Sequence, residues 1–508
     1  MTQTKRIIVN TLAQYGKAII NIGLSLYSTR LVLDALNISD YGLYSVIGGL
    51  IAMLGFVLNS LVITTQRYIS YYKGKGDENY IKEIFANSLL LHIIIGIVLC
   101  GALLLIKEWL ISNVLNIDPV RTETAKDIYV ITTLTLFITI LTAPYKSLFI
   151  ARENIVYISV VEVIDGILKF GLAIWLTYIS ADKLFVYAIM MLGILVVNFL
   201  SFTIYALVYF KESCIIIRPK SINRKCLSHI AGFASWTTYG MGAVSARNQG
   251  FAVVLNHFFG TVINASYGIA FQIYGAMAFT VTSILNAMTP QIIKAEGENN
   301  RERMFFLAEK ESKFSVLLMA IISIPIMIEM PKILMLWLKD VPEDAVMFCR
   351  FILVSFLCDQ LTMGLNVVNQ ALGNIRRYTI LMYTPKLLSL PMAWAILYYG
   401  GQAQDIMVLY LIIELLVSMM RIPYIKRAAG LNAGQYVRNV ILRLLPTLFV
   451  ISATGYICTT AITAPYRFVL TFVLSVSTGF ISAWFFTLEK AEQDFVKNTF
   501  KRLHVCLI

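Results

Sequence analysis

Apolar runs of bilayer length set the first limit on this chain. About fourteen segments of some 20 or more residues, the length that crosses a hydrocarbon core, fall at 7–33, 41–68, 85–106, 128–150, 155–179, 184–210, 228–256, 265–292, 312–338, 346–371, 378–399, 404–424, 441–462 and 466–487. In lipid every backbone N–H and C=O must be paired within the spanning structure, which leaves only helices and closed barrels. Runs this long are helices, so the expected fold class is all-α and integral to a membrane. With 58% hydrophobic and only 14% charged residues over 508 positions, and a mean hydropathy of +0.74, the chain is not a soluble globular domain.

Charge orients the spans. Basic residues cluster at the N-terminus (Lys5, Arg6), then after every second span: Arg67 to Lys82, Lys146 and Arg152, Lys211 to Lys225, Lys294 to Lys313, Arg376 and Arg377, Arg421 to Arg443, and Lys490 to Arg502. The intervening loops hold few: Lys107, Arg121, Lys126, Lys183, Lys339 and Arg467. The positive-inside rule then predicts cytoplasmic termini and an even number of spans. The net charge of +13 belongs to these loops, and no nucleic-acid surface is implied. The first helix is too long and too polar for a cleavable signal peptide.

That first helix carries a polar line, Asn10, Gln14, Lys17, Asn21, Ser25 and Ser28, at spacings of three and four that fall on one helical face. Such a face must meet protein or a water-filled cavity. Shifted by 224 residues, the line returns in the seventh span: Gln14 falls on Thr238, Asn21 on Ser245 and Ser25 on Gln249, and Tyr15-Gly16 falls on Tyr239-Gly240. Tyr41-Gly42 answers Tyr267-Gly268 at a shift of 226, and "FIARENIVY" answers "NQALGNIRRY" at a shift of 220, with Ala151 on Ala371 and Asn154 on Asn374. Two six-helix lobes are therefore expected, 1–210 and 228–430, joined by a cytoplasmic linker at 211–227 and followed by an appended hairpin and tail at 431–508. Six is even, so the repeat is parallel, about a pseudo-two-fold along the membrane normal. An internal duplication also makes a monomer sufficient.

Ionisable groups inside spans are costly and default to functional hypotheses. Lys17 sits on the stripe with no obvious local carboxylate, placed for an anionic substrate group. Arg30 and Asp34 read as a local i,i+4 pair. Glu162, Asp165 and Lys169 share one face; Asp165 and Lys169 neutralise each other, leaving Glu162 as a free carboxylate. Of Arg247-Asn248-Gln249 only Gln249 lies on the stripe, and Arg247 points 160–170° away by helical-wheel arithmetic. Asp359 and Lys386 are a candidate cross-helix pair, and Glu414 and Glu329 are further buried acids. The candidate substrate-binding set is thus Gln14, Lys17, Asn21, Ser25, Thr238, Ser245, Arg247 and Gln249. The ion-coupling candidates are Glu162, Asp165, Asp359 and Glu414. Seven scattered cysteines with no CxxC, and four histidines without ligand spacing, predict neither a disulfide framework nor a metal site. No P-loop or other enzyme motif is present, so neither enzymatic activity nor a cofactor is expected.

With these residues in view, the chain resembles bacterial polysaccharide flippases of the multidrug/oligosaccharidyl-lipid/polysaccharide (MOP) exporter superfamily, in the O-antigen-unit translocase branch. The resemblance covers nearly the whole chain. It is carried by "DYGLYSV" at Asp40–Val46, "SYGIAF" at Ser266–Phe271, "ARNQ" at Ala246–Gln249, "MPKILMLWL" at Met330–Leu338 and "QALGN" at Gln370–Asn374. Relatives often carry an aspartate where this chain has Asn248. The resemblance implies six-helix lobes around a central cationic cavity in the bacterial inner membrane. Alternating access would carry undecaprenyl-diphosphate-linked oligosaccharide to the outer leaflet, with Lys17 and Arg247 meeting the diphosphate. A proton or sodium gradient is the implied energy source, and membrane lipid and other polysaccharide-assembly proteins are the implied partners. A MATE-like drug/cation antiporter and a lipid-linked peptidoglycan-precursor flippase are the alternatives; a membrane polymerase or ligase would need a larger outer loop.

Overall fold

The computed structural model describes residues 3–52, 54–113, 117, 119–213, 223–338, 341–462 and 466–494. Most of the expected linker and tail, with Cys214 and Cys506, lies outside the described residues. The described elements are helical throughout: α1 (Gln3–Ala52), α2 (Gly55–Lys75), α3 (Glu78–Asn113), α4 (Thr122–Ala151), α5 (Ile155–Leu176), α6 (Lys183–Tyr209), α7 (Arg224–Phe259), α8 (Thr261–Gly297), α9 (Arg301–Ile328), α10 (Met330–Trp337), α11 (Ala345–Gln360), α12 (Met363–Leu372), α13 (Arg376–Tyr398), α14 (Ala403–Ala429), α15 (Ala433–Tyr436), α16 (Arg443–Ala461) and α17 (Arg467–Ser482). One wider helical turn joins α15 to α16 and another extends α17 to Thr487.

Nine helices among the described residues are long and apolar enough to cross a membrane, or eleven if each bent pair forms one span. The bent pairs are the two arms of α8, Val262–Ala278 and Thr280–Gly297, at 45°, and α11 with α12, at 46°. α2, α5 and α7 are long enough but are not among the nine. α5 carries three charges, and α2 and α7 carry runs of polar side chains. The first two boundaries also differ from expectation. Helical hydrogen bonding continues through 34–40, and the break falls at the end of α1, so the segment 41–68 is divided between α1 and α2.

Local signals explain the ends. Gly76 and Gly430 close α2 and α14 in the left-handed region, where a residue without Cβ is unstrained. Asp182 accepts from the backbone N–H groups of Leu184 and Phe185 to start α6. Gln402 and Asp405 form a reciprocal capping box at α14.

The chain forms two compact units that do not divide at 211–227. The first is 1–242 with 286–301; the second is 243–285 with 302–508. The first thus takes the beginning of α7 and the end of α8. The cause is direct packing on α2. Ser60 and Thr238 hydroxyls lie 2.6 Å apart, and the backbones of α2 and α8 meet at Gly74 and Gly297, where a Cβ on either would overlap a carbonyl oxygen of the other helix. The first unit has an aromatic-rich core around Phe85, Phe149, Tyr145 and Phe202. The second packs Phe251, Met319, Phe348, Met382 and Tyr410. The expected appended hairpin, α16 and α17, belongs to the second unit. Glu329, at the α9–α10 break, accepts from Arg467 Nε at 2.9 Å and from Thr471 Oγ1 at 2.9 Å on α17.

Candidate functional site

In the first unit the polar stripe of α1 turns toward α5. Asn10 is buried and donates to the carbonyl of Glu153 at 2.9 Å. Gln14 is buried and accepts from Lys17 Nζ at 3.1 Å. Lys17 also reaches Glu162 Oε2 of α5 at 2.5 Å, and Lys146 of α4 holds the other oxygen, Oε1, at 2.5 Å. Lys17 is therefore not without a carboxylate, and Glu162 is not free. The two residues are 145 positions apart, and no helical wheel relates them. Two ammonium groups share one carboxylate, leaving one positive charge in excess. Lys146 is the more accessible, its side chain 39% exposed against 14% for Lys17.

One turn along, Asn21 donates to the backbone carbonyl of Glu162 at 3.1 Å, while its Oδ1 is buried without a partner. α5 approaches this closely because it has Gly166 there; a Cβ would overlap Asn21 Oδ1. Beyond lies a cavity of about 300 Å³, lined among others by Asn21, Ser25, Ser28, Asp165, Lys169 and Tyr187. Asp165 pairs with Lys169 at 2.7 Å and accepts from Asn198 at 2.6 Å, so this cavity is polar but locally neutral. Arg30 and Asp34, both exposed, form no ion pair with each other.

In the second unit Arg247 is buried away from solvent. Its guanidinium donates to Glu414 Oε1 at 2.6 Å and to the Tyr410 hydroxyl at 2.7 Å, and lies 4.0 Å from the Tyr410 ring centroid. Lys386 also holds Glu414, at 2.7 Å. Asp359, the partner expected for Lys386, sits 4.0 Å from it and is held instead by Arg421 at 2.6 Å. Three cations thus enclose two carboxylates on α7, α11, α13 and α14, again with one positive charge in excess. Gln249 is exposed and Ser245 half-buried on the same α7, while Thr238 belongs to the first unit and meets Ser60.

The stripe residues Gln14, Lys17 and Asn21 are brought together with Glu162, and Ser25 with Asp165 through the cavity. Arg247, Asp359 and Glu414 form a separate cluster. Lys146, Asn198, Tyr410 and Arg421 complete these clusters without having been singled out. Lys146 and Arg421 both fall inside apolar runs, 128–150 and 404–424, but were counted among the loop charges.

No family model matches this chain, and no curated protein matches it by sequence. Solved structures do match in fold. An outward-facing multidrug-resistance MATE family transporter of the MOP superfamily aligns with a TM-score of 0.71 at 15% identity, over 82% of this chain and 94% of that one. A MATE in the straight conformation gives 0.71 at 15%, over 86% and 97%. A MOP superfamily transporter from Pyrococcus furiosus, whose description speaks of a reversed polarity of its binding pocket, gives 0.67 at 14%, over 82% and 94%. At these identities the likeness is one of fold: the chain has the helical architecture of MOP-superfamily membrane transporters.

Proposed function

We propose that this protein is an alternating-access flippase that moves undecaprenyl-diphosphate-linked oligosaccharide from the cytoplasmic to the outer leaflet of the bacterial inner membrane. The observation that carries the reading is the pairing of Lys17 and Lys146 on the single carboxylate of Glu162, beside a locally neutral polar cavity. A diphosphate needs the excess cation; sugar hydroxyls need uncharged donors and acceptors such as Asn21, Ser25 and Ser28. Neither group crosses hydrocarbon unaided. The polyprenyl chain stays in lipid. An ion gradient drives the cycle, and other polysaccharide-assembly proteins supply and remove the substrate.

The test is translocation of lipid-diphosphate-linked oligosaccharide in proteoliposomes. Lys17→Ala neutralises the cluster and is expected to slow translocation about tenfold or more, the value of one charge-assisted hydrogen bond; Lys17→Arg retains part of the rate. Equal rates for all three proteins would overturn the assignment. The fold likeness to multidrug MATE transporters supports a second reading, a drug/cation antiporter. Export of an organic cation with no movement of the lipid would put it in place of the first.

A further inference from the structure

All four acids expected to couple an ion are ion-paired in the structure: Glu162 and Asp165 in the first unit, Asp359 and Glu414 in the second. A different acid is not. Glu311 on α9 is fully buried, and among the described residues it alone has both carboxylate oxygens enclosed without a hydrogen-bond partner. A charged carboxylate in that position would forgo hydration with nothing in return; a neutral acid pays far less.

It lies beside a helix break. α9 packs against the start of α12 so closely that a Cβ on Gly364 would overlap the carbonyl oxygen of Ala308, one turn before Glu311. The neighbouring Ser312 hydroxyl accepts from Gly364 N at 2.9 Å and from the Tyr436 hydroxyl at 2.9 Å, and Tyr436 also reaches the Leu361 carbonyl. Leu361 and Thr362 are where α11 and α12 break at 46°. Across that break Arg421 donates to the Thr362 hydroxyl and the Asp359 carbonyl, joining the break to the Asp359–Lys386–Glu414–Arg247 cluster. The groups around Glu311 are accounted for. Tyr436 on α15 lies within electrostatic range, and Arg421 on α14 is paired with Asp359 through Nη2 while its Nε is buried without a partner. Glu309 on α9 accepts from Asn439, and Lys310 and Lys313 turn to Glu489 and Glu492. Among the described residues no cation is paired with Glu311.

We propose that Glu311 is a proton-binding site, and that loss of its proton acts on the α11–α12 break through Ser312 and Tyr436. The proton adds to one carboxylate oxygen; its release leaves a buried anion that the packed arrangement cannot hold, favouring an arrangement that admits water or a cation. The inference rests on the transport reading for its role as a coupling site, but the protonation itself does not.

Two measurements separate these parts. Infrared spectra of the purified protein in lipid nanodiscs are expected to show a protonated-carboxyl carbonyl band at neutral pH that Glu311→Gln removes and Asp165→Asn leaves. In proteoliposomes an inwardly or outwardly directed pH gradient is expected to change wild-type translocation several-fold, and Glu311→Gln to lose that response while keeping a gradient-independent rate. A band that survives Glu311→Gln overturns the proton site. An unaltered gradient response in that variant overturns its coupling role. If the wild-type protein moves no lipid-linked oligosaccharide, the flippase reading fails, and the infrared result still decides the protonation.

Discussion

The uneven charge count in the second unit makes opposite predictions for neighbouring residues. Arg247, Lys386 and Arg421 face Asp359 and Glu414, all within a few ångströms and mostly buried. Glu414→Gln would leave three cations on one carboxylate and remove the acceptor for both Arg247 and Lys386. Breaking a buried pair from one side costs about 3–5 kcal/mol, because the remaining charge is left uncompensated. Lys386→Met removes the surplus cation instead, and Arg247–Glu414 and Arg421–Asp359 remain as two complete pairs. Its cost should stay below about 1.5 kcal/mol, in the range of a tolerated volume-conserving exchange. The gap between the variants is thus at least about 1.5 kcal/mol, more than tenfold in the equilibrium constant. Denaturant unfolding in detergent micelles, followed by tryptophan fluorescence, measures both. Equal destabilisation by the two substitutions would refute the account of one surplus charge and mean that Lys386 is held by shape rather than by charge.

Two further outcomes follow from local geometry. Gly74→Ala or Gly297→Ala forces a Cβ into a facing carbonyl oxygen, so each should lower stability by about 1–3 kcal/mol, whereas Gly101→Ala, with open space around it, should change little; thermal unfolding of the three variants checks this. At the end of the second unit, burial pushes the Glu489 carboxyl upward, but hydrogen bonding and charge from Lys310, with Lys313 and Arg443, outweigh it and hold it below its ordinary value. A depressed carboxyl adds stability above the unfolded value, near pH ~4.3, and loses it as pH falls through the folded value. The thermal midpoint of wild type should therefore exceed that of Glu489→Gln at neutral pH, and the two should converge on acidification.

What the sequence could reveal follows the range of each interaction. Helices, the polar face of α1 and the Asp165–Lys169 pair are short-range facts, set by spacings of three and four, and they were legible. The partners of Lys17, Glu162 and Arg247 were not, because they lie on helices 16 to 167 residues away. Helical-wheel arithmetic did place Arg247 away from the stripe; what it could not supply was Glu414 and Tyr410 waiting on that side. Gly166 and Gly364 were equally silent. Their meaning is a backbone approach that only tertiary packing defines.

The repeat read from the sequence sets left-handed helix ends opposite one another. Aligning Ala151 with Ala371 sets Glu153 opposite Gly373, and both take positive φ, 60° and 85°, as the chain leaves the preceding helix. At a shift of 223, Gly76 falls on Asn299, with φ of 74° and 57°. The same shift sets Gly74 on Gly297 and Tyr71 on Lys294. In the structure Gly74 meets the Lys294 carbonyl while Gly297 meets the Tyr71 carbonyl. Both approaches lie within the first unit. A left-handed helix end costs most non-glycine residues steric energy, asparagine least, so Glu153 is the strained one of these positions. At the first of these turns the Glu153 carbonyl accepts from Asn10 of α1, fixing the first polar residue of the stripe to the end of α4.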